Sequence, residues 1–325
     1  MTAAAADRPV LVTGLPRSGT SWVGKMLQAS GQVVYINEPL NPRHPPGRSP
    51  GVLRAEVPCY FPYVCPDNED GWLRAFRDTL ALRYDLAAEL RRNRRPYDLA
   101  RAAKYRTAFA LGRWRGWRPL LDDPYAVLSA GWFAERLGCR VIVLVRDPVA
   151  VAGSWQRLGW VVDPSELLGQ PLLVRDLPGP NKRELEAFSG GGDTVAATAA
   201  LWRATYAMAR RAESLPGVSI HRYEDLARDP LACFREIYAL CGLAWTGRVV
   251  ERIQRATSGT TSAQRAHAWS LSGGLSRTAY RPMDSRTTAS AAVRRLAPDQ
   301  AARVRQLTAD VAQGFYGEEE VVRGD

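Results

Sequence analysis

Val10-Leu11-Val12-Thr13-Gly14-Leu15-Pro16-Arg17-Ser18-Gly19-Thr20-Ser21-Trp22 runs from four apolar or β-branched residues, through a turn bounded by two glycines, into a helical pattern. A strand, a glycine-bounded turn and a helix N-terminus in that order make an anion cradle, because free backbone N–H groups and the positive end of the helix dipole converge. The turn matches G-x-x-x-x-G-K-[ST] at every fixed position except one, where Thr20 replaces the lysine. In a nucleoside triphosphatase that lysine reaches the outer phosphates. A cradle without it suits a ligand with a single phosphate at that place, and Arg17 inside the turn supplies a cation. The plainer alternative is a glycine turn that binds nothing.

Further short apolar runs, at 33–36, 120–121, 141–145 and 218–221, carry apolar residues on both faces, as strands buried in a parallel sheet do. Helical patterns lie between them, at 21–29, 72–90, 126–137, 149–158 and 194–212, then from Asp229-Pro230 to about 240, and at 298–312. Strands alternating with helices predict one three-layer α/β domain over 1–325, with a central, mostly parallel sheet of five strands. Segments 39–70, 161–193 and 257–290 lack periodicity and are expected as loops or lids around a cleft.

The 325 residues exceed the roughly 100–150 of a small domain but fit one large α/β unit. With 46% hydrophobic and 24% charged residues the chain is neither collagen-like nor wholly disordered. Lys+Arg at 44 against Asp+Glu at 33 gives +11, and the only lysines are Lys25, Lys104 and Lys182. An arginine excess suits phosphate, sulfate or nucleic acid, but also follows from a GC-rich genome. No run of roughly 18–20 apolar residues predicts a membrane span, and the start of the chain does not resemble a signal peptide. Five unpaired-looking cysteines and three histidines predict a reduced, cytoplasmic protein without a metal site.

Two more segments join the first loop. Arg146-Asp147-Pro148 ends the run at 141–145, and Ser154 follows Arg146 by eight residues; Arg222-Tyr223-Glu224-Asp225-Leu226 is followed by Asp229-Pro230. Together these resemble the sulfotransferases that use 3′-phosphoadenosine 5′-phosphosulfate (PAPS), and the R-S-G-T form is nearest the carbohydrate and tyrosylprotein types. The resemblance implies a P-loop-like fold, PAPS as co-substrate and the 3′,5′-bisphosphate (PAP) as product. It implies donor contacts from Arg17, Ser18, Gly19, Thr20, Ser21, Trp22, Arg146, Ser154 and Tyr223, with Arg281 and Arg286 closing over the nucleotide. Glu224 and Asp225 are expected only to cap a helix.

Sulfonate transfer needs a base for the acceptor hydroxyl and cations for the leaving oxygen. Glu38 ends the second predicted strand in Ile36-Asn37-Glu38-Pro39, 21 residues after Arg17, and the resemblance makes it the base. His44 is the rival. Tyr60, Phe61 and Tyr63 suit a planar or sugar acceptor. Leu121-Asp122-Asp123-Pro124-Tyr125-Ala126 resembles the family's K-D-P-x-A, with Asp122 where the family carries lysine. Three readings stay open: Arg17 takes the whole cationic role, Asp122 turns away or meets a cationic acceptor, or the chain is a slow or repurposed member. The competing classes are a P-loop kinase and a non-catalytic protein binding adenosine bisphosphate or nucleic acid. The densest basic stretch, 91–118, with Trp114 and Trp117, is expected as a solvated helix face before acceptor or nucleic-acid contact. The expected acceptor is a small-molecule or glycoside hydroxyl in bacterial secondary metabolism. Nothing in the sequence speaks to oligomeric state.

Overall fold

The computed structural model describes residues 8–43, 49–257 and 296–323. The chain begins with β1 (Val10–Thr13), α1 (Thr20–Gln28) and β2 (Val33–Asn37), followed by α2 (Asp70–Leu80), α3 (Leu86–Arg92) and α4 (Pro96–Arg115). Next come β3 (Arg118–Asp122), α5 (Ala130–Leu137), β4 (Arg140–Val145) and α6 (Pro148–Leu158). Three short helices, α7 (Ser165–Leu168), α8 (Pro171–Asp176) and α9 (Gly179–Phe188), precede α10 (Thr194–Ala212) and β5 (Val218–Arg222). The order closes with α11 (Tyr223–Arg228), α12 (Pro230–Cys241), α13 (Gly247–Thr257) and α14 (Pro298–Arg323).

The five strands form one parallel sheet in the order β2-β3-β1-β4-β5. β1 is central, and all four of its residues are buried, as a Val/Leu-rich strand between two helical layers must be. One core packs Leu11, Leu121, Val141 and Val143 with Phe133, Trp155, Trp202 and Tyr206. The opposite core packs Val10, Val12, Ile142 and Leu144 with Val23, Leu27, Phe234 and Tyr238. Alternate residues of the same strands feed opposite layers, so the three-layer architecture follows from the period-2 pleat.

The structure departs from the sequence expectation in several places. The pattern at 72–90 is two helices, broken where Leu82 takes φ 54° and Asp85 caps α3 by accepting from the Ala88 N–H (2.9 Å). The pattern at 126–137 begins as a 3₁₀ turn, Pro124–Ser129, and only then becomes α5. α7, α8 and α9 occupy a stretch whose sequence shows no periodicity, because each buries only one or two side chains and leaves no repeating stripe. α14 continues past 312, with non-helical backbone at Gly317. Glu224 is not a simple cap: its carboxylate accepts from the Asp147 N–H (3.0 Å) and the Tyr316 hydroxyl (3.1 Å), tying α11 to α6 and α14.

Candidate active site

The turn between β1 and α1 is held from several sides. The Leu15 N–H donates to the Tyr206 hydroxyl (3.2 Å), and Trp155 Nε1 donates to the Pro16 carbonyl (2.9 Å). Arg146 Nη1 donates to the Arg17 carbonyl (2.8 Å). Gly19, at φ 102°, is the N-cap of α1 and offers no side-chain cap, so the Thr20 and Ser21 N–H groups are left unsatisfied by the helix itself, whereas the Trp22 N–H donates to the Gly19 carbonyl (3.0 Å). A Cβ at Gly19 would also stand 2.7 Å from the Tyr223 ring, so both backbone and packing demand glycine there.

Arg17, Arg146, Ser154 and Tyr223 meet beside this turn. Arg17 Nε donates to Ser154 Oγ (3.3 Å), which comes from the second turn of α6. The Arg146 guanidinium lies 4.2 Å from the Tyr223 ring centroid, and Tyr223 meets Trp22 edge to face. Arg146 is 6% exposed, yet its Nε and Nη2 have no hydrogen-bond partner among the described residues. Buried guanidinium N–H groups without partners are costly, and an anionic oxygen is the partner that suits them. Asp147 is turned away, capping α6 by accepting from the Ala150 N–H (2.7 Å).

Glu38 follows β2 in a left-handed conformation, φ 47°. Its N–H donates to the Asp122 carbonyl (2.8 Å), and Asn41 Nδ2 donates to its Oε2 (2.7 Å). Burial pushes its carboxyl up to about 7, against the Asn41 hydrogen bond, which lowers it. A carboxyl titrating there is matched to proton abstraction near neutral pH. The next turn is pinned by Asp123, which accepts from the Leu40 N–H (2.6 Å) and the Tyr125 N–H (3.0 Å).

A cavity of about 440 Å³ joins the two groups. Arg17, Thr20, Ser21 and Glu38 line one end. Its lining also includes Tyr60 stacked on Tyr125 (centroids 5.3 Å apart), Trp155, Trp160, Val161, Val162, Asn41 and Arg43. Two non-periodic segments build it: the Tyr60 N–H donates to Glu166 Oε2 (3.0 Å) of α7.

Asp122 does not line the cavity. It is fully buried behind the turn, accepting from the Tyr35 hydroxyl and hydrogen-bonded to the Ser21 and Thr20 side chains. Burial drives its pKa up, which favours the neutral carboxyl. Phe61 is wholly buried against Tyr125, and the Tyr63 hydroxyl donates to Asp176 (2.8 Å), so neither lines the cavity. His44, Arg281 and Arg286 lie outside the described residues. Asn41, Arg43, Tyr125, Trp155 and Trp160 are the site residues the sequence reading passed over. Only Tyr125, beside the Asp-Asp-Pro turn, carried a local signal.

A family model described as the sulfotransferase domain matches residues 124–278. Over 151 residues the chain is 33% identical to carbohydrate sulfotransferase 3 of Mus musculus, a match covering 44% of this chain and 26% of that protein. The corresponding protein of Homo sapiens is 30% identical over 151 residues, covering 43% and 26%. The match thus spans about a quarter of the length of these curated relatives. A solved sulfotransferase domain from the curacin biosynthetic pathway is 13% identical with a TM-score of 0.46, covering 93% of this chain and 98% of that one.

Proposed function

We propose that the chain is a sulfotransferase, a reading that the domain match over residues 124–278 and the curated relatives support, and that it transfers a sulfonate group from PAPS to the hydroxyl of a small-molecule or glycoside acceptor. The observation that carries this reading is the buried Arg146 with two unpartnered N–H groups, set beside Ser154, Arg17 and an uncapped helix start. Those residues fit a nucleotide bearing a phosphate at each end. Arg146 and Ser154 would hold the 3′-phosphate, the turn and Arg17 the 5′-phosphate, and Trp22 and Tyr223 the base.

In the transfer, Glu38 takes the proton of the acceptor hydroxyl as that oxygen bonds to sulfur. The bond from sulfur to the bridging oxygen breaks, and its electron pair leaves on the 5′-phosphate. Arg17 is the cation placed to stabilise that developing charge. Asp122 fills the position of the family lysine without facing the cavity, because it sits buried as a hydrogen-bonding partner of Thr20 and Ser21. Tyr60, Tyr125 and Trp160 would hold a flat or ring-shaped acceptor against Glu38.

Calorimetry with adenosine 3′,5′-bisphosphate and with ATP plus Mg²⁺ tests the reading. Saturable binding of the bisphosphate is expected. Binding of ATP–Mg²⁺ without the bisphosphate overturns it in favour of a kinase. Binding of the bisphosphate with no sulfonate transfer to any of a panel of phenols and sugars leaves a nucleotide-binding protein instead.

A further inference from the structure

The arginine-rich stretch that the proposed transfer leaves unused folds as α3 and α4. Between these helices lies a second, separate groove of about 640 Å³. Leu86 and Leu90 of α3 form one side, and Leu99, Ala103, Ala110 and Trp114 of α4 the other. The α4 members recur at helical spacing and so share one face. Leu90, Leu99 and Trp114 are 37%, 45% and 78% exposed, although apolar side chains of this size are ordinarily covered.

The rim of the groove has one sign. Every fully exposed charged side chain between Arg91 and Arg115 is a cation. The carboxylates of the two helices, Glu89 and Asp98, are both taken by Arg101, at 2.9 Å each. Arg106 lies in the groove itself, and Arg115 stacks over Trp114 and Trp117 at its far end.

We propose that this groove docks an amphipathic helix of a partner protein, with its apolar face on the Leu99–Trp114 stripe and acidic residues toward the arginine rim. An apolar channel between two helices is the shape that accepts a third helix by its i, i+3, i+4, i+7 anchors. Trp and Arg, which line it as Trp114 and Arg106, are residue types that dominate binding energy, while a cationic rim selects and steers an acidic partner. A second copy of this chain is a poorer occupant, because pairing the face with itself sets arginine against arginine. A bilayer is poorer too, since the apolar surface is concave and holds Arg106. Nucleic acid is poorer because the lining offers a single aromatic, Trp114, for stacking.

The test uses a fluorescently labelled synthetic peptide of about 18 residues, roughly 27 Å as a helix and so comparable to α4. It carries leucine at i, i+3, i+4, i+7 spacing and glutamate elsewhere, and its control carries lysine in place of glutamate. Anisotropy should show micromolar binding of the acidic peptide, weakening with salt, and no binding of the lysine peptide. Trp114→Ser and Arg106→Glu, both exposed and therefore tolerable to the fold, should each weaken it at least tenfold. The proposal is overturned by absent saturation up to about 1 mM or by variants that bind like the parent chain. It is equally overturned if phosphatidylglycerol vesicles or a single-stranded oligonucleotide bind more tightly at these residues, or if the chain self-associates through them. None of these outcomes depends on whether the chain transfers sulfonate.

Discussion

Glu38 and Arg17 hold backbone φ of 47° and 78°, left-handed values that cost a non-glycine residue about 1–2 kcal/mol. The surrounding hydrogen bonds hold them there, as the Arg146 contact to the Arg17 carbonyl and the Asp122 contact to the Glu38 N–H show. Glu38 also keeps a carboxyl titrating at about 7 rather than 4.5. Its folded-state pKa is raised, so the folded chain holds the proton more tightly, and stability falls as pH rises from 4.5 through 7. By the linkage relation that shift is worth about 3 kcal/mol once both states are ionised. Glu38→Gln is therefore expected to melt higher than the parent chain at pH 8 and at nearly the same temperature at pH 4. The same variant should lose at least about 100-fold in turnover while binding the bisphosphate as before, and the parent rate should rise with pH with its midpoint near 7. A turnover rate unchanged by Glu38→Gln removes this residue as the base. Asp122 gives the opposite kind of prediction. If it is neutral behind the turn, Asp122→Asn preserves its hydrogen bonds and leaves bisphosphate affinity within about threefold at pH 7. A marked tightening would instead mean that an ionised Asp122 repels the donor.

At the scale of elements, α3 and α4 are joined by a buried ion pair. Glu89 is 0% exposed and accepts from Arg101 Nη2 (2.9 Å), Asn93 Nδ2 (3.0 Å) and the Gly51 N–H (3.1 Å). Removing the cation strands a buried carboxylate, so Arg101→Ala should cost about 3–5 kcal/mol, and Arg101→Ala with Glu89→Gln should recover part of it. Urea unfolding of the three proteins reads this directly, and a loss below about 1 kcal/mol would show that solvent reaches Glu89. This pair lies in the region where the sequence was least legible. The five strands stood out because Val/Ile/Leu runs buried on both faces have few other readings. α4 did not, since its amphipathic stripe is interrupted by arginines, although Pro96 at its first turn and Gly116 at φ 65° after its end marked both boundaries. β3 is longer than its two leucines because Arg118 is itself buried, donating to the Cys241 carbonyl (2.8 Å). The turn between β1 and α1, with Arg146 and Ser154 both in contact with Arg17, was legible because strand ends and helix starts fix these positions locally. The cavity walls were not, because Tyr60, Tyr125 and Trp160 come from three separate segments joined only by tertiary contacts such as Tyr60 to Glu166.

Over the whole molecule, the carboxyl ends of four strands bring residues together at the candidate site, Arg17 after β1, Glu38 after β2, Arg146 after β4 and Tyr223 after β5, while Asp122 at the end of β3 stays buried behind the first turn. The chain leaves central β1 toward β3 and β2 on one side and toward β4 and β5 on the other, the crevice where open parallel sheets bind ligands. That topology divides the labour. The β4–β5 side carries Arg146, Ser154 and Tyr223 and should govern the donor, whereas the β2–β3 side carries Glu38, Tyr60 and Tyr125 and should govern the acceptor. A net charge of +11 should attract an anionic donor as a long-range field, weakened when salt shortens the screening length to about 8 Å at physiological strength. Bisphosphate at about 100 times its Kd should stabilise the parent chain by about 2.7 kcal/mol, read as a rise in Tm that shrinks as salt is added. Arg146→Ala removes two charge-assisted N–H donors, each worth about 1.5–3 kcal/mol when paired, so it should lose at least tenfold in affinity and most of that rise. Glu38→Gln, on the other side of β1, should keep the rise in full. Equal rises in the Arg146→Ala and parent proteins would place the nucleotide elsewhere and dissolve the division between the two halves of the sheet.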